Sequence, residues 1–284
     1  MVRAYPKPQY PRPNLKRLAV GRLVTIAAGI LCSDGLVLCA DTEHTVSEDR
    51  KAQSSKTRAW HIGYRFGCDC IGGSGEGPLR DVRVTVGLSG AGHLDWIEAF
   101  MQGVDQDILA DVPDRFDIDV FEKQLRDFNQ KFFSNYIRSY AENPQHRPQA
   151  YMLVLVQFCF DDTRRAIFHA HENVLLKAEE RCFMAVGAGA PVFQGFAELL
   201  YGDRPACKQM RTMREVAAIA VYIMDKVKSE VSGCGGHTQI MMIGADGQQH
   251  TVPTKRIKEL ETYHLALETE LYGALRNKLV KKLP

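Results

Sequence analysis

A chain of 284 residues with a net charge of +2, 45% hydrophobic and 25% charged residues has the make-up of a globular protein able to bury one full-sized core. The near-neutral balance argues against nucleic acid or an anionic membrane as partner, and no run approaches the roughly 18 apolar residues of a membrane span. The eight cysteines are scattered, and Cys32, Cys39 and Cys159 lie inside apolar runs, the usage of reduced, buried thiols in a cytoplasmic protein.

The chain opens on a basic, proline-rich stretch, YPKPQYPRP, which has no apolar core of a secretory signal and reads as an extended leader over residues 1–23. Leu23–Cys32 and Leu36–Ala40 are rich in Val, Ile and Leu, and the Asp34-Gly35 pair between them is a hairpin signal. Both runs are almost wholly apolar, so both faces of their sheet should be covered. Lys56–Ile62 is a third candidate strand, GYRFGCDCIGGSGEGPLRD a glycine-rich loop, and Val82–Leu88 a fourth strand. A helix begins near His93. From Asp119 to Tyr140, Phe121, Leu125, Phe128, Phe132, Tyr136 and Tyr140 recur at steps of three or four, which predicts an amphipathic helix.

Tyr151–Phe160 predicts a buried strand that pairs with Ala166–His171, and Cys182–Val186 leads through GAGAPVFQGF into a short helix. Thr212 with Glu215 forms a capping box for a helix that buries Val216, Ile219, Ile223 and Val227, and SGCGG stops it. His237–Ile243 and His250–Val252 form a hairpin about Asp246-Gly247, and a last amphipathic helix carries Ile257, Leu260, Leu267, Leu271 and Leu275 into a basic tail. Hairpins rather than crossovers join the strands, and the helices come in pairs. The expectation is an α+β fold, a four-layer αββα sandwich of two mainly antiparallel sheets, with residues 24–254 as its domain and 255–284 as a terminal helix and tail.

Taken singly, Thr25 in a strand, Asp41 at a strand end and Lys56 have ordinary structural readings. Taken in order, TIAAGILCSDGLVLCAD, SSKTRAWHI, VTVGLSGAG, AVGAGAPVFQGFAELLYG, MREVAAIAVYIMDKV and SGCGGHTQIMMIGADG resemble the blocks of proteasome β-type subunits, which are N-terminal-nucleophile hydrolases, and the chain looks like a divergent bacterial member. That resemblance implies the αββα sandwich and a threonine-type peptidase that needs neither metal nor organic cofactor. It makes Thr25 the nucleophile once the leader is removed, with its freed α-amine as base. It makes Lys56 the charge that tunes that amine, Asp41 its anchor, Gly90 the oxyanion donor and Ser232 a stand-in for an assisting serine. Thr45 would pair with an extended substrate, and His44 and Leu88 would line a pocket for a neutral or apolar side chain. The implied partners are further copies of the chain in a ring or stack, unfolded polypeptide as substrate and, for a ring so fed, an ATPase unfoldase.

The sequence departs from those blocks at three places. Val24, not glycine, precedes Thr25; Ala188 stands where the blocks carry a serine; and Val231 and Cys234 replace an aspartate and a serine late in the chain. Two other readings therefore stay open: a non-catalytic assembly subunit of the same fold, and an amidase acting on small amides. Cys68-Asp69-Cys70 has no second ligand pair at zinc spacing, His169 and His171 share a strand face as a candidate ligand pair, and Gly72–Gly77 lacks the ending of a phosphate-binding loop.

Overall fold

The computed structural model describes residues 25–47, 50–53, 55–67, 79–110, 116–137, 150–159, 163–178, 181–201 and 210–280. The leader, the glycine-rich loop with Cys68, Asp69 and Cys70, Tyr140, Phe160 and the final Lys281-Lys282 pair lie outside these residues. In chain order the elements are β1 (Ile26–Cys32), β2 (Gly35–Asp41), β3 (Glu43–Ser47), β4 (Arg50–Gln53), β5 (Thr57–Gly67), β6 (Leu79–Gly92), α1 (Leu94–Val104), α2 (Ile118–Phe132), β7 (Ala150–Cys159), β8 (Thr163–His171), β9 (Val174–Lys177), β10 (Phe183–Gly187), α3 (Ala190–Tyr201), α4 (Met213–Glu230), β11 (Thr238–Gly244), β12 (Gln249–Thr251) and α5 (Thr254–Val280).

Two five-stranded sheets form, ordered β10-β1-β2-β11-β12 and β5-β6-β7-β8-β9, with β3-β4 as a separate hairpin. The pairings within both sheets are antiparallel. Every residue of β1 and β2 is buried, as their double-sided apolar character requires: one face meets the other sheet and one meets helices. Leu153, Leu155 and Ile167 of the second sheet share a core with β1 and β2, and the outer face of the first sheet packs Phe193 of α3, Ile223 and Val227 of α4 and Ile257 of α5. At Gly29 a methyl group would lie 2.3 Å from a terminal carbon of the Leu155 side chain, so with glycine there Leu155 packs directly on the β1 backbone. The outer face of the second sheet packs α1 and α2 around a separate core, in which Phe100 meets Phe128 and Phe132 edge-on at 5.1 and 5.3 Å. The layers are thus helix, sheet, sheet, helix, the expected sandwich.

The helix boundaries follow local chemistry. The Asp117 carboxylate accepts N–H bonds from Asp119 and Val120 at the start of α2, and Thr212 and Glu215 make the reciprocal capping box at the start of α4. α2 buries Phe121, Leu125, Phe128 and Phe132 and passes into a π-helical turn, Phe133–Ile137. Three features differ from expectation. β5 and β6 are longer, pairing from Thr57↔Ser89 out to Gly67↔Leu79, and β6 runs on past Leu88 to Gly92. The β3–β4 hairpin and β9 carry no apolar alternation long enough to announce them; β9 follows a tight turn in which Glu172 takes φ 55°. In α5, Ile257 is buried, but Leu267 and Leu271 are 51% and 58% exposed, and further along the helix is tied to α4 by polar contacts, Glu261 with Lys228 and Glu268 with Tyr222 and Lys226.

Candidate active site

The Asp34-Gly35 turn sets the β1–β2 register at Cys32↔Gly35, and counting back along both strands brings Ala27 opposite Ala40. One step further, the start of β1 faces Asp41, and the Ile26 N–H donates to Asp41 Oδ1 at 3.3 Å. Lys56 is the residue before β5; its carbonyl accepts the Gly90 N–H at 3.0 Å, and its Nζ donates to the same Asp41 Oδ1 at 2.8 Å. Both side chains are fully buried, at 0% exposure. The second carboxylate oxygen accepts the Gly235 N–H at 3.2 Å, from the segment between α4 and β11. Burial pushes the Asp41 carboxyl above its ordinary range, and the Lys56 ammonium and the two N–H donors pull it back. A carboxylate removed from bulk solvent is held here by an opposite charge and two fixed dipoles.

Thr25 precedes β1 and is 2% exposed. The Gly92 N–H, at the end of β6, donates to Thr25 Oγ1 at 2.9 Å. Gly92 takes φ +121° and Gly187 φ +93°, conformations that suit glycine. A methyl group on Gly187 would stand 2.2 Å from the Thr25 carbonyl oxygen. Thr25 is therefore wedged between two glycine backbones, one on each sheet, and Ile26, its neighbour in sequence, shares an oxygen with the buried ion pair.

The structure brings Thr25, Asp41 and Lys56 into one site. The other candidates stand as follows. Gly90 donates its N–H to the Lys56 carbonyl, so the donor that reaches Thr25 is Gly92, two residues on. Leu88 packs into the α1–α2 core, on the face of β6 opposite that of Ser89, whose hydroxyl crosses between sheets to the Cys39 carbonyl at 3.3 Å; Leu88 cannot line a pocket at Thr25. His44 and Thr45 lie on β3, paired with Ala52 and Lys51. Ser232 is exposed in the turn after α4, while Cys234 is buried beside Gly235, and Ala188 is exposed after Gly187. Gly92 is the fourth small residue of the run Ser89-Gly90-Ala91-Gly92, and nothing local singles it out from the other three.

His169 and His171 do share a face of β8: their rings stack with centroids 6.1 Å apart, and Tyr151 stacks on His171 at 4.2 Å. Burial, with His171 adding, pushes His169 down to about 4. Among the described residues no group of three or more His, Cys, Asp or Glu side chains is placed to hold a metal ion.

No protein-family model and no curated protein sequence matches the chain. Solved structures do. Anbu (ancestral beta-subunit) from Yersinia bercovieri superposes with a TM-score of 0.59 at 12% identity, over 92% of this chain and 98% of that one. Anbu from Hyphomicrobium sp. strain MC1 gives 0.59 at 15% identity over 92% and 98%. A helical assembly of the Anbu complex from Pseudomonas aeruginosa gives 0.58 at 13% identity over 92% and 97%. These likenesses show a proteasome-like fold. They correct the expected membership of the proteasome β-type subunit family: the sequence blocks raise no family model and no sequence relative, and the likeness to these Anbu proteins is at identities that carry the fold alone.

Proposed function

We propose that the chain is a threonine-type peptidase of proteasome-like fold, active once a cut before Thr25 frees its α-amine. The observation that carries the reading is the assembly of a buried Lys56–Asp41 pair, tied through Ile26 to a threonine whose hydroxyl already holds a backbone N–H. In the forward step Thr25 Oγ forms a bond to the substrate carbonyl carbon and its proton passes to the freed α-amine, whose ordinary pKa is about 8. The positive charge of Lys56 favours the neutral, basic form of that amine. The Gly92 N–H, which donates to Thr25 Oγ1, is in this reading the donor to the developing oxyanion. Collapse breaks the C–N bond, the amine leaves with the proton, and water then cleaves the ester and restores Thr25. Asp41 holds Lys56 and takes no part in bond making. The substrate class is extended, unfolded polypeptide, reached within an assembly of several copies, as the Anbu complex from Pseudomonas aeruginosa forms a helical assembly.

One observation favours a second reading. Thr25 is preceded by Val24 and is almost fully buried, as a residue that is never released would be, so an uncut chain would serve as a structural subunit. Intact mass decides first: a species beginning at Thr25 supports the peptidase. Fluorogenic-peptide turnover by that species, abolished in Thr25→Ala and retained in part by Thr25→Ser, completes the test. A full-length chain with turnover indifferent to Thr25→Ala sinks it, and turnover confined to small amides would move the reading to an amidase.

A further inference from the structure

We infer that Gln239 is a positioning residue that fixes Lys56 for its work at Thr25, an assignment that rests on the hydrolase reading above. Gln239 lies on β11 opposite Ala40, one step from Thr238, which lies opposite Asp41. Its side-chain oxygen accepts the Lys56 N–H at 3.2 Å, and its amide nitrogen donates to Ser55 Oγ at 3.0 Å. Ser55 Oγ in turn donates to the Thr57 carbonyl at 3.2 Å. The orientation of the amide is not arbitrary: a backbone N–H can only donate, so the atom facing Lys56 is the oxygen, and the chain of donors then runs in one direction to Thr57.

The consequence is geometric. Lys56 sits where the polypeptide leaves the β3–β4 hairpin and enters the second sheet. Its carbonyl is pinned to β6 by Gly90, and its N–H is pinned to the first sheet by Gln239. The segment leading into β11 supplies the Gly235 N–H to Asp41. One strand and its lead-in therefore set the position of both members of the ion pair: through a main-chain dipole for the acid and through a side-chain amide for the base. Without Gln239, the Lys56 N–H loses its tie to the first sheet, and the ammonium is left to be placed by its bond to Asp41. A misplacement of about 1 Å in such a group costs on the order of 100-fold in rate.

The test uses the purified protein in the processed form its intact mass reveals. Gln239→Ala should lower kcat on a fluorogenic peptide about 10- to 100-fold with KM within about twofold. Gln239→Glu, which keeps an acceptor oxygen for the Lys56 N–H, should recover most of that loss. A second readout does not depend on turnover: the buried Lys56 ammonium should give a solvent-protected 1H–15N resonance in the wild type and in Thr25→Ala, and lose it in Gln239→Ala. Wild-type kcat together with an intact ammonium resonance in Gln239→Ala overturns the assignment. So does an equal loss of activity and melting temperature in both Gln239 variants, which would mark a general loss of stability. If the wild type turns over no peptide yet Gln239→Ala still loses the resonance, the positioning role stands and the hydrolase reading falls.

Discussion

Replacing Lys56 by methionine keeps the aliphatic stem and removes the charge. Its partner Asp41 is 0% exposed, so the variant strands a buried carboxyl group without the ammonium that stood 2.8 Å away. Breaking a buried pair from one side typically costs about 3–5 kcal/mol. The lower end applies here, because the Ile26 and Gly235 N–H groups still bond to Asp41 and the carboxyl can take up a proton. Lys56→Met should therefore lose about 3 kcal/mol, read as a shift of the urea midpoint at unchanged m-value and as a fall in melting temperature of roughly 6–12 °C for a chain of this size. Adding Asp41→Asn should return about 2 kcal/mol, since a neutral amide no longer needs a counter-charge, with one of the two N–H donors left unmet. A single variant within about 1 kcal/mol of the wild type would mean that the two side chains are not the buried, mutually dependent pair described above.

Gly187→Ala places a methyl group 2.2 Å from the Thr25 carbonyl oxygen and 2.8 Å from the Ala91 side chain, at φ +93°; it should cost about 2–3 kcal/mol in urea unfolding and about 100-fold in any Thr25-dependent turnover. Unchanged turnover in a folded variant would remove Gly187 from the site. His169 should make stability depend on pH in a defined window. The unfolded chain binds a proton near 6.5 and the folded one refuses it until about 4, so this contribution is whole above 6.5 and is lost as pH falls towards 4, up to roughly 3 kcal/mol. His169→Phe should flatten that fall, measured as the difference in unfolding free energy between about pH 7 and pH 4.5; an identical difference in the two proteins contradicts the burial of a neutral imidazole.

The fold was legible where the chain had to commit both faces of an element to apolar neighbours. The unbroken runs of β1 and β2, the three- and four-residue steps of Phe121, Leu125, Phe128 and Phe132, and the Thr212–Glu215 cap each follow from side-chain chemistry within a few residues. Elements held by polar pairing were not legible: nothing in the residues of β3 and β4 distinguishes a hairpin from a loop. In α5 the leucines at helical spacing promised a buried stripe, but Leu267 and Leu271 extend beyond the core that Ile257 reaches. At the candidate site, Thr25, Asp41 and Lys56 stand out only through their order and spacing. Gly92, Gly235 and Gln239 left no such trace, because two of them act through a main-chain N–H and the third reaches Lys56 from a strand far along the sequence.

A buried ion pair is a weak source of stability: well-packed apolar side chains of the same size serve as well or better. The sequence around Lys56 and Asp41 does not lack such alternatives, since the strands beside them are filled with Leu, Ile and Val. The pair is nonetheless kept buried and supplied with donors at both carboxylate oxygens, one of them from the residue that follows Thr25. That arrangement is intelligible if the ammonium has a task that only a charge can perform next to a titrating group. In the proposed mechanism that group is the α-amine of Thr25; Ala188 has no hydroxyl to assist it, and Ser232, the expected stand-in, is exposed. Proton handling then falls on the amine and on the field of Lys56, which makes the release of Thr25 from Val24 the step on which catalysis depends.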